Sequence, residues 1–98
     1  MDTSTPCSAL NDGVCLRISY DGFVRDVEVH AVGVGSEGQF LMRVWQVRGG
    51  SVSNEPIGWK LLRLDETIGF ALLTERSSAP RIGYKRGDKA LKSVICQL

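Results

Sequence analysis

The 98-residue chain holds a single histidine, His30, and three cysteines, Cys7, Cys15 and Cys96, with no CxxC pair among them. A zinc site needs several ligands at set spacings, so no metal is expected. An odd number of widely separated cysteines fits reduced thiols better than a disulfide scaffold, which points to a cytoplasmic protein. No apolar stretch approaches the roughly 20 residues of a membrane helix. The opening Met1-Asp2-Thr3-Ser4-Thr5-Pro6 lacks the basic region of a signal peptide. Net charge is only +1, so bulk electrostatics does not make the whole molecule a polyanion binder. Catalytic constellations are also missing. His30 has no evident nucleophile or acid partner and reads as a strand-end residue. The carboxylate pairs Asp26–Glu28 and Asp65–Glu66 lack the cleft that glycoside hydrolysis requires. Gly33-x-Gly35-x-x-Gly38 joins two strands rather than a strand and a helix, so it is a turn and not a phosphate cradle. Neither an enzyme nor a cofactor is expected.

What is present is strand periodicity. The 43% hydrophobic share suffices for one packed core without disulfides or metals. Residues 1–13 read as a flexible lead-in, with Pro6, Asn11, Asp12 and Gly13 as breakers. Val14 to Tyr20 alternates, with Leu16, Ile18 and Tyr20 on one face. Asp21-Gly22 marks a hairpin turn, because glycine tolerates the positive φ such a turn needs. Phe23 to Val34 follows as a second strand. It has Phe23, Arg25, Val27, Val29 and Ala31 on one face, and Val24, Asp26, Glu28, His30 and Val32 on the other. Phe40 to Val47, Gly58 to Leu64 and Thr67 to Leu73 are strands three to five, and Gly69 suggests a bulge. Five short-linked strands point to an all-β fold over residues 14–75: a strongly bent antiparallel sheet or small barrel. Residues 76–98 form a basic tail. There Asp88 is a plausible N-cap, and Leu91, Val94 and Ile95 at helical spacing predict a short C-terminal helix.

The charged residues divide sharply. Residues 76–98 hold six Lys/Arg against one Asp, and residues 1–75 hold six against ten Asp/Glu. The tail is therefore either an interaction segment or a segment docked on its own acidic barrel. Arg43 and Arg63 stand among bulky apolar residues, where a charge is costly without a partner. Either they grip an oxyanion with their planar forks, or they pair internally with Asp65, Glu28 or Asp26. Arg17 and Arg25 flank the hairpin turn and are expected to face each other, or else to lie on a solvated face. Trp45 and Trp59 are either core residues or stacking platforms for a base. Arg81, Lys85, Arg86 and Lys89, beside Tyr84, form a secondary basic patch suited to phosphate backbone or a partner protein.

The runs Leu16-Arg17-Ile18-Ser19-Tyr20, Arg25-Asp26-Val27-Glu28-Val29-His30, Gln39-Phe40-Leu41 and Leu62-Arg63-Leu64-Asp65, in this order, resemble the WYL domain of bacteria and phages. The resemblance spans about residues 16–70. It implies a five-stranded Sm-like, SH3-type barrel. It also implies a regulatory role through binding of a nucleic acid, a nucleotide or another anion by clustered arginines and an aromatic. Gln39-Phe40 replaces the name-giving Trp-Tyr, Val29 replaces a proline, Glu66 an arginine, and Lys60 stands at a position that is often arginine. The expected ligand site is Arg17, Arg25, Arg43, Lys60 and Arg63, with Trp45 or Trp59 as aromatic wall. The expected partner is single-stranded nucleic acid or a nucleotide. The alternative is a protein–protein module that self-associates or docks on a bacterial regulator or defence protein, favoured by the missing cationic positions.

Overall fold

The computed structural model describes residues 2–98. Its elements are helix α1 (Ser4–Asp12) and strands β1 (Val14–Tyr20), β2 (Phe23–Val34), β3 (Phe40–Gly49), β4 (Gly58–Arg63), β5 (Thr67–Arg76) and β6 (Ser93–Gln97). The strands make one antiparallel sheet in the order β4-β3-β2-β1-β5, with β6 paired to β2 off this path. β4 and β5 are the two ends and do not pair. The expected mainly β, antiparallel sheet is present, but it has six strands rather than five and is open rather than closed into a barrel.

A straight strand of β2's length would span about 40 Å at the usual rise per residue, yet the longest extent of the molecule is 28 Å. β2 is therefore bent. Its pairing with β3 slips between Asp26 and Val27 and again between Val29 and Ala31, and such bulges bend a strand. The second slip also reassigns faces. Val32 joins Val27 and Val29 in the main core, while Ala31 packs with Leu41 and Leu91 in a second cluster. The strict alternation that puts Ala31 with Val27 is corrected by this bulge.

Several local readings hold. Asp21 and Gly22 both have positive φ at the β1–β2 turn. Tyr20 pairs with Phe23 across it. Gly69 (φ 66°) lies at a slip in the β1–β5 register. Leu16, Ile18 and Tyr20 are all buried in the main core with Met42, Val44, Leu62 and Leu64.

Both ends of the chain differ from expectation. The lead-in is helix α1, which buries Pro6, Ala9 and Leu10. Pro6 sits in the first turn, where a missing N–H is not needed. Gly13 ends the helix in the left-handed conformation, its N–H donating to the Ala9 carbonyl. Asp2 accepts the Thr5 N–H and the hydroxyls of Ser4 and Thr5. These bonds, Thr5's first, hold its carboxyl down at about 2.

The expected C-terminal helix is strand β6. Beyond Val27, the edge of β2 that β1 occupies is open, and β6 fills it by pairing with Ala31 to Val34. Asp88 caps only a turn: its carboxylate accepts the Ala90 N–H and its carbonyl the Leu91 N–H. A Cβ at Gly33 would collide with the Ser93 carbonyl oxygen, so glycine permits the close approach of β6. Finally, Cys7 and Cys96 are joined in a disulfide between α1 and β6, which corrects the expectation of three reduced thiols. Cys15 is free, and burial pushes its thiol up to about 11.

Candidate functional site

The tail lies across the outer face of β2 and is pinned there by two buried side chains. Glu28 accepts two bonds from the Arg81 guanidinium, at 2.7 and 3.2 Å, and one from the Ser78 N–H at 2.7 Å. His30 accepts the Arg81 N–H at Nε2 (3.0 Å). Its Nδ1 must then carry the proton and donate it to the Glu28 carbonyl, 2.9 Å away. Both ring nitrogens are satisfied in the neutral tautomer, and burial lowers the His30 pKa. Arg81 also covers the Trp45 ring, 5.4 Å from its centroid. Arg81 is thus committed to holding the tail, and Trp45 lies beneath it.

Beyond Arg81 the chain turns at Gly83, whose φ is 96° and where a Cβ would stand 3.2 Å from Trp59 Nε1. It then forms a loop, residues 83–89, over the face shared by β3 and β4. Arg43 pairs with Leu61 and Trp45 with Trp59 across these strands, so the four side chains project to one side. Between loop and strands is a cavity of about 620 Å³, bounded by Arg43, Trp59, Tyr84, Lys85, Arg86, Asp88 and Lys89. Trp59 and Tyr84 stack at 6.4 Å with 30° between their planes. Trp59 is braced edge-on by His30 at 4.6 Å and by Trp45 at 5.4 Å. Asp88 holds the Arg43 fork at 2.6 and 3.2 Å, and that pairing lowers the Asp88 pKa. Among the described residues, no carboxylate lies within salt-bridge distance of Lys85, Arg86 or Lys89.

The structure does not gather the arginines singled out in the sequence. Arg17 binds Asp26 with both prongs at 2.8 and 3.0 Å, and Arg48 adds a bond at 2.7 Å. These bonds, Arg17's first, lower the Asp26 pKa. Arg17 faces Asp26 across the hairpin, while Arg25 faces Ile18, which corrects the expected Arg17–Arg25 juxtaposition. Arg25 is buried, donating to the Tyr20 carbonyl and to Gln46 Oε1 while lying 5.1 Å from the Tyr20 ring centroid. Arg63 pairs with Asp65, and the Lys60 ammonium holds the Ser51 and Ser53 hydroxyls and the Glu55 carbonyl. Of the expected ligand set, Arg43 and Trp59 reach the cavity, and three of the four secondary basic residues join them there.

The sequence pattern assigns neither Tyr84 nor Asp88 to a site: Tyr84 is a neighbour within the basic patch, and Asp88 reads as a helix cap. The local signal is the clustering of Tyr84, Lys85, Arg86 and Lys89 in six residues. Nothing local indicates that this segment lies over Trp59. Among the described residues, no three His, Cys, Asp or Glu side chains gather as a metal site would need. Among these residues, no helix is long and apolar enough to cross a membrane. Comparisons with protein-family models, with curated proteins and with solved structures find no match.

Proposed function

We propose that this protein is a non-enzymatic, WYL-like regulatory module of bacteria or phage that binds an anionic ligand, a nucleotide or nucleic acid. The observation that carries the reading is the cavity beneath the 83–89 loop. It places three cations without acidic partners beside a braced aromatic pair. Ammonium and guanidinium groups suit phosphate oxygens, and aromatic faces accept any base. Ligand binding to one state of the protein would shift its population, which is the regulatory step.

The test is titration of the protein with short single-stranded oligonucleotides and mononucleotides at two salt concentrations. Binding that weakens steeply with salt is expected. No binding at low salt overturns the reading. A Lys85→Ala, Lys89→Ala double variant that folds normally and binds as before overturns the site.

A second reading, self-association, has its own observation. Among the described residues, the outer edges of β4 and β5 are both unpaired, and Ile68 and Leu72 on β5 are exposed. Unpaired edges of this kind recruit further strands. Light scattering decides it, and a strict monomer at high concentration removes it.

A further inference from the structure

Building on the anionic-ligand reading, we infer that the cavity takes a single nucleoside phosphate. The phosphate sits on Lys85, Arg86 and Lys89 and the base lies against Trp59 and Tyr84. The site is a cup rather than a track along a polynucleotide. Its residues are two strand positions, Arg43 and Trp59, and one continuous loop segment, residues 83–89. At about 620 Å³ its size falls within the range of small-ligand pockets.

The charges outside the cavity limit it in the same way. A polynucleotide needs successive cations to meet successive phosphates. Arg17, Arg48, Arg63 and Arg81 are each already matched by a carboxylate. Lys60 is occupied by Ser51, Ser53 and the Glu55 carbonyl, and Arg76 by the Asp12 carbonyl. Arg25 is buried. Among the described residues, Lys92 is the one exposed cation outside the cavity with none of these engagements. One further cation does not make a track.

The aromatic wall also has a fixed geometry. His30 and Trp45 brace Trp59, and Gly83 lets the backbone pass its indole edge. A base is recognised there by a rigid surface beside the phosphate site. Base and phosphate in one ligand should then bind together better than either alone.

The experiment follows tryptophan fluorescence during titration with adenosine 5′-monophosphate, adenosine, inorganic phosphate and a ten-residue single-stranded oligonucleotide. The monophosphate should bind at least tenfold more tightly than adenosine or phosphate, and should compete fully with the oligonucleotide. Tyr84→Ala should erase the advantage of the monophosphate over phosphate. Lys85→Gln with Lys89→Gln, both exposed and therefore safe for folding, should erase its advantage over adenosine. Oligonucleotide binding that the monophosphate cannot displace, with a salt dependence that grows with length, overturns the single-nucleotide inference and leaves the anionic-ligand reading standing. Absence of binding by all four probes at low salt overturns both.

Discussion

His30 is shut away from solvent between the Glu28 carbonyl and the Arg81 amide, with Trp59 and Tyr84 against its ring. Protonating it would break the bond that Nε2 accepts. Because burial lowers its folded pKa, the unfolded chain takes up a proton first as pH falls. Its contribution to stability is complete above the unfolded value, about 6.5, and is lost as pH drops toward the folded one. Thermal melts should therefore fall between pH 7.5 and pH 5, and a flat profile in that interval contradicts the assignment. Asp26, Asp65 and Asp88, whose folded values are lowered by arginine hydrogen bonds, act in a separate window. Their contribution is present above about pH 3.9 and disappears as pH falls through the lowered values. At the cavity, Asp88 occupies Arg43 and opposes an incoming anion. Asp88→Asn keeps the oxygen that accepts the Ala90 N–H and removes the charge. It should tighten mononucleotide binding severalfold, consistent with about 1 kcal/mol for a partly exposed pair. Weaker binding in the same titration would mean that Asp88 serves the site by shaping it.

At the scale of elements, the tail is a strap whose position depends on one buried carboxylate. Removing the Arg81 side chain would leave Glu28 buried with the Ser78 N–H alone. Breaking such a pair costs on the order of 3 kcal/mol. Arg81→Ala should lower the urea midpoint by a corresponding amount. It should also weaken anion binding, because the 83–89 loop hangs from this clamp. Glu28→Gln should cost less, since the amide oxygen still accepts a bond and no charge is stranded. Equal losses from the two substitutions would show that the charge of Glu28 is not what matters. β6 is an element of the same kind. Its five residues contain Val94 and Ile95, whose branched side chains suit a strand, but their spacing also satisfies a helix. The open edge of β2 decides between the two by offering ladder partners to the backbone.

Across the whole molecule, the Cys7–Cys96 disulfide ties the first element to the last over 89 residues of sequence. A cross-link closing so long a loop stabilises by about 2–4 kcal/mol, chiefly by restricting the unfolded chain. Reduction, or Cys96→Ser, should lower the melting temperature by several degrees while circular dichroism retains its strand signature. Mass spectrometry without reductant should show this one linkage, and Cys15 should react with thiol reagents only after unfolding. An unchanged melting temperature on reduction would mean that the linkage adds nothing to the fold. The opposed charges of tail and sheet also resolve at this scale. Arg81 docks the tail on Glu28 and Asp88 docks on Arg43, while Lys85, Arg86 and Lys89 are left to the cavity.

The sequence by itself determined the strands from β1 to β5, the Asp21-Gly22 turn and the bulge at Gly69. Alternating burial and positive-φ residues are local properties that neighbouring positions display. It also marked Arg43 and Trp59, because a charge or an indole in an apolar strand is conspicuous. Only the tertiary structure decided which acid each arginine meets, that residues 93–97 form a strand, and that the 83–89 loop closes over Trp59. Arg43 and Asp88 lie 45 residues apart and Glu28 and Arg81 lie 53 apart. Pairings at such distance arise from how the bent sheet brings segments together, which no local pattern encodes. The missing helix at the C-terminus has the same cause, since an unpaired edge on β2 is a feature of the folded sheet and not of the residues that fill it.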